Sequence, residues 1–114
     1  MVQRFDVGTR LSEMAVHNGV GYLAGQVAAD GTLDITGQAR QVLAAIDGLL
    51  QRAGSDKTKI LMCQIFIKDL ADFAALNAVW EAWVPHGHAP PRATVQAQLA
   101  KPEWRVEMVV TAAL

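Results

Sequence analysis

The sequence holds one cysteine, Cys63, so no disulfide can form within the chain. Charge of one sign is also lacking. Lysine and arginine number 10 against 11 aspartates and glutamates, a formal net charge of −1. That balance removes the basic footprint expected of a protein that grips a phosphate backbone, and nucleic acid is not an expected partner. No apolar run approaches the roughly 18 residues that a membrane-spanning helix needs, so no membrane is expected either. Met1 to Asp6 contain no apolar segment of signal-peptide length, and the expected compartment is the cytoplasm. Glycine-rich phosphate loops, dinucleotide fingerprints and nucleophile elbows are all missing. His86 and His88 flank Gly87, but no further cysteine, histidine or acidic cluster completes the three or four ligands of a metal site. No metal is expected.

What the chain does have is apolar content. Of its 114 residues, 52% are hydrophobic and 18% charged. This is a folding composition rather than a disordered one, and the length suits a single domain over residues 1–114.

Met14 to His17, Asn18-Gly19 and Val20 to Ala24 read as a β-hairpin, because both residues of an Asn-Gly pair tolerate positive φ. Gly25-Gln26 ends or bulges its second strand. Thr36 to Ala53 reads as a helix with Ala39, Val42, Leu43, Ile46, Leu49, Leu50 and Ala53 on one stripe. Asp34 or Thr36 would cap its start, and Gly54 suits the left-handed position past its end. Lys59 to Lys68 reads as a strand apolar on both faces, with Leu61, Cys63, Ile65 and Ile67 pointing one way. Asp72 to Val84 reads as a second helix, its stripe formed by Phe73, Leu76, Val79, Trp80 and Trp83. Arg92 to Leu99 and Trp104 to Ala113 read as two last strands joined by the Lys101-Pro102 turn.

The order is ββαβαββ, with room for a short strand at Val2 to Phe5. This is an α+β fold in which two helices can cover only one face of the sheet. The other face also carries apolar residues, so a second copy of the chain is the expected cover.

Arg92 opens a strand after two prolines, with Thr94, Gln96 and Gln98 on its face at period two. Its planar fork can grip a carboxylate through two parallel hydrogen bonds. On residue type alone, such an arginine is most often a solvated surface residue. Glu107 lies inside Val106-Glu107-Met108-Val109-Val110. A carboxylate within an apolar strand is costly if buried alone, so it either faces water or is held for use. If the last two strands pair, Glu107 falls opposite Gln96 on the face of Arg92 but roughly 13 Å from it. A neighbouring subunit would then have to bring the two together. Cys63, Trp80 and Trp83 read as core, and Trp104 as packing or pocket lining.

These pieces resemble the RidA/YjgF family over nearly the whole length. The matching segments are Leu23-Ala24-Gly25-Gln26, Gln38 to Leu43, Ala53-Gly54-Ser55, Ile67 to Phe73, Asn77 with Trp80-Glu81-Ala82, and Pro91 to Val95 ahead of Val106-Glu107-Met108. The resemblance implies a chorismate-mutase-like fold, a homotrimer with clefts between subunits, and hydrolysis of reactive 2-imino acids to 2-keto acids and ammonia without a cofactor. It implies that Arg92 binds the substrate carboxylate and Glu107 places the water. Thr94 and Gly25 would border the ligand through their backbones.

The chain departs from the family at two points. Leu11 stands where the well-studied branch has a Gly-Pro-Tyr tyrosine that borders the ligand. The loop leading to Trp104 also differs, so the pocket is expected to be altered. A non-catalytic sensor of small carboxylates on the same fold is the alternative.

Overall fold

The computed structural model describes residues 1–114. The strands are β1 (Gln3–Phe5), β2 (Met14–His17), β3 (Val20–Leu23), β4 (Gln26–Val27), β5 (Ile60–Ile67), β6 (Arg92–Gln96) and β7 (Val106–Ala113), and the helices are α1 (Ile35–Arg52) and α2 (Phe73–Trp83). One sheet runs β1-β2-β3-β7-β5-β6, with β4 also paired to β7. The fold is α+β, as the order of elements predicts.

The hairpin forms around Asn18 and Gly19, whose φ angles of 51° and 76° are those its tight turn requires. Asp34 caps α1 by accepting a hydrogen bond from the Gly37 N–H, and Gly54 adopts the expected positive φ of 79° beyond its end. α1 lies across β3, β4 and β7, with α2 beside it. β7 shows what this does to a strand. Val106, Met108, Val110 and Ala112 are buried beneath the helices, while Glu107, Val109, Thr111 and Ala113 alternate onto the other face and stay half-exposed. Ile65, Ile67, Leu43, Ile46 and Leu76 complete the core, each worth roughly 1.5–3 kcal/mol of burial.

Three expectations change. First, β5 bulges between Ile60 and Met62. The extra residue turns Leu61 outward, and Ile60 takes its place with Cys63, Ile65 and Ile67 in the core. A bulge breaks the period-two alternation that the sequence alone suggests. Second, the last two strands do not pair. β5 lies between them, parallel to β6 and antiparallel to β7. The connection through Lys101-Pro102 therefore steps over β5, β6 stops at Gln96, and Trp104 precedes β7 rather than starting it. Third, Phe73 leaves the apolar stripe of α2 and is 40% exposed. Of the two outcomes open at Gly25-Gln26, the bulge is the one found, and the strand resumes as β4.

Candidate functional site

Parallel pairing sets Arg92, Thr94 and Gln96 level with Cys63, Ile65 and Ile67, on the helix-covered face. Glu107 is level with Phe66 on the opposite face. The two residues therefore do not share a face, contrary to the expectation from hairpin pairing. Arg92 aligns with Cys63 and so with Val110, three residues from Glu107. Two strand spacings and three residue rises separate their Cα atoms by roughly 14 Å. A small molecule cannot touch both side chains within one chain.

The Arg92 guanidinium turns toward α2. Its Nη2 donates to Asn77 Oδ1 at 2.8 Å. The charge sits 5.2 Å from the Trp80 ring centroid and 5.9 Å from that of Phe73, within cation–π range. Its Nη1 and the Thr94 hydroxyl are buried without a hydrogen-bond partner. Leaving such a group unpaired costs about 1–3 kcal/mol, more for a charged one. An anion or a water that reached this edge strand would satisfy both.

Phe73, Asn77 and Trp80 lie at helical spacings of four and three, so one face of α2 meets the arginine. That spacing was visible in the sequence, where an asparagine interrupts an aromatic stripe. Trp80 is buried, as its place in the stripe predicts, but its ring also faces the charge.

Gly25 and Glu107 do come together. A Cβ on Gly25 would overlap the Glu107 carboxylate and lie 2.9 Å from its Cδ, so only glycine leaves room for this acid. The bulge at Ala24-Gly25 produces the approach. β3 and β4 meet β7 in registers offset by one residue, Tyr22 facing Thr111 but Gln26 facing Met108. Leu11 is 56% exposed in the loop before β2, and its carbonyl accepts from the Gly8 N–H. Trp104 is half-buried under the Lys101 ammonium, 5.1 Å away. His86 and His88 are both exposed, in the loop after α2. Cavities of about 600, 700 and 380 Å³ open on the surface, and neither Arg92 nor Glu107 lines any of them.

Burial pushes the Cys63 thiol up to about 12, against a smaller opposing pull from the Arg92 charge beside it. It stays protonated at neutral pH and is no nucleophile.

The sequence profile of the family described as endoribonuclease L-PSP matches residues 1–114. The chain belongs to that family, the RidA/YjgF proteins. A RutC family protein of Haemophilus ducreyi is 45% identical over 114 residues, covering 100% of this chain and 97% of its own. The RutC family protein YoaB of Escherichia coli is 42% identical over 113 residues, covering 99% and 98%. Among solved structures, a Pseudomonas aeruginosa protein superposes with a TM-score of 0.97 at 48% identity, covering 99% of this chain and 98% of that one. A YjgF family member from Neisseria meningitidis gives 0.96 at 42%, covering 99% and 94%. RidA/YjgF membership thus accounts for the mixed sheet and the two helices. No helix of the chain is long and apolar enough to cross a membrane.

Proposed function

We propose that this protein hydrolyses reactive 2-imino acids to 2-keto acids and ammonia, in clefts formed between copies of the chain in a homotrimer. The observation that carries this reading is Arg92, a half-buried guanidinium whose Nη1 is buried and unpaired and whose Nη2 is tied to Asn77. A substrate carboxylate would complete its hydrogen bonds. Glu107 has no ion-pair or hydrogen-bond partner in its own chain and stands on the uncovered face. It is free to act on a substrate anchored by the arginine of a neighbouring copy. Water adds to the electrophilic C2 of the protonated imine while Glu107 takes its proton. That proton passes to the amino group of the adduct, and ammonia departs as the remaining hydroxyl collapses to the keto carbonyl and gives its proton to Glu107, which releases it to solvent. No covalent enzyme intermediate is required, because positioning supplies most of the rate.

The test is a coupled assay in which an amino-acid oxidase generates 2-iminopropanoate or a longer imino acid and keto-acid release is followed. Acceleration over buffer is expected. Arg92→Ala should lower kcat/KM on the order of 100-fold or more, since it removes two charge-assisted hydrogen bonds. Glu107→Gln should keep ligand binding and lower kcat on the order of 100-fold. Failure of the wild type to accelerate release, with its oligomer intact, would overturn the reading.

Leu11 favours a second reading. An exposed aliphatic side chain stands where the resemblance places a tyrosine, so this pocket could sense a carboxylate without turning it over. Calorimetry would then show Arg92-dependent binding of 2-ketobutyrate or benzoate by a protein inert in the assay. RNA cleavage, which the family's description names, finds no support in a net charge of −1. Tight, salt-dependent RNA binding would speak for it.

A further inference from the structure

Gln38 is a fully buried polar residue in the first turns of α1. Its Nε2 faces three carbonyls, those of Leu33 at 3.0 Å, Glu103 at 3.0 Å and Gly31 at 3.3 Å. Its Oε1 accepts from the Arg105 N–H at 2.9 Å. Three acceptors on one side and a donor on the other leave one sensible orientation for the amide.

These partners fall in two segments. Gly31 and Leu33 follow β4, and Glu103 and Arg105 precede β7. The segments are the two flanks of the β4–β7 pairing, which consists only of Gln26 with Met108 and Val27 with Glu107. So short a ladder holds poorly by itself, yet it places Glu107 against Gly25. The flanks also meet directly, since a Cβ on Gly31 would lie 3.0 Å from the Glu103 Cβ. Arg105 is further held by Asp72, through two bonds of 3.1 Å from Nε and Nη2.

We infer that Gln38 is a positioning residue for Glu107: one buried amide clamps both sides of the two-residue ladder and fixes where the carboxylate sits on the open face. The inference rests on the deaminase reading for its kinetic consequence, but the clamp itself can be measured without activity. Gln38 touches neither Arg92 nor Glu107, so it should move kcat while leaving carboxylate binding alone.

Two variants test it. Gln38→Met keeps the volume and removes all four hydrogen bonds. Gln38→Glu keeps the shape and the acceptor for Arg105 N–H, but as a carboxylate it faces the three carbonyls without a proton to donate. Protonation restores one donor. On the deaminase assay, kcat should fall on the order of 100-fold in Gln38→Met, the effect of displacing a catalytic group by about 1 Å, with KM unchanged. In Gln38→Glu, kcat relative to wild type should recover as pH falls. Amide hydrogen exchange should quicken at residues 26–33 and 103–108, while the β2–β3 hairpin keeps wild-type protection. Exchange that quickens uniformly, or a Gln38→Glu protein with the wild-type pH profile and kcat, would overturn the clamp. If the wild type turns over no imino acid, the deaminase reading fails, and the exchange pattern still decides the clamp.

Discussion

At the residue scale, Cys63 and Arg92 are cross-strand neighbours with opposite treatment. The arginine keeps its charge on aromatic rings and an asparagine, whereas the thiol is wholly buried. The folded pKa of Cys63, about 12, lies above its ordinary 9.0, so folding disfavours the thiolate. The stability this represents is complete below about pH 9. It is lost as pH rises toward 12, because the unfolded chain ionises first and is drawn down by it. Denaturant titrations in alkaline buffers should find Cys63→Ala losing less stability with rising pH than the parent, by up to about 1.4 kcal/mol per pH unit. Equal slopes would show that the thiol is more accessible than its burial implies. The sequence singled out Arg92 and Glu107 through their family resemblance, while strand parity wrongly put them on one face. It could not say that α2 supplies Asn77 and Trp80 to the arginine, since that depends on how the helix crosses the strand.

At the element scale, the informative features are irregularities. The bulge at Leu61 and the bulge at Ala24-Gly25 each insert one residue opposite β7, on its two sides. Periodicity assumes a constant phase along a strand, so it misassigned Leu61, and it offered a bulge only as one option at Gly25. Gly25→Ala tests the second bulge. The added Cβ collides with the Glu107 carboxylate and must push it aside or shift β4. We expect kcat in the deaminase assay to fall on the order of 10-fold or more, with a loss of stability of about 1–3 kcal/mol. Unchanged kcat would mean that the acid needs no such fixed seat. The hairpin turn, the cap at Asp34 and the stop at Gly54 were legible in advance, because each depends on the local preferences of one or two residues.

At the scale of the whole molecule, the helices cover one face and leave the other bare. Tyr22, Met62 and Val95 are exposed there, at 52%, 37% and 45%, beside half-buried Phe66 and Val109. An apolar face of this kind asks for a partner surface. Met62→Glu places a charge on it at a distance from Glu107. Sedimentation should show the wild type as an oligomer and the variant shifted to monomer, with the circular dichroism of a folded chain. Deaminase activity should be lost with assembly. A variant that stays oligomeric would direct the interface elsewhere.

By itself, the sequence determined the inventory of strands and helices, the two-helix cover and the turns. Each of these follows from short-range periodicity or from the preferences of single residues, whereas the candidate site residues came from the resemblance. The tertiary structure decided the neighbours. β5 entered between the last two strands, Arg92 and Glu107 went to opposite faces, and Gln38 reached a segment 65 and more residues further along the chain. Strand order and long-range hydrogen bonds depend on which packing buries the most apolar surface at once, and no local window of sequence contains that comparison.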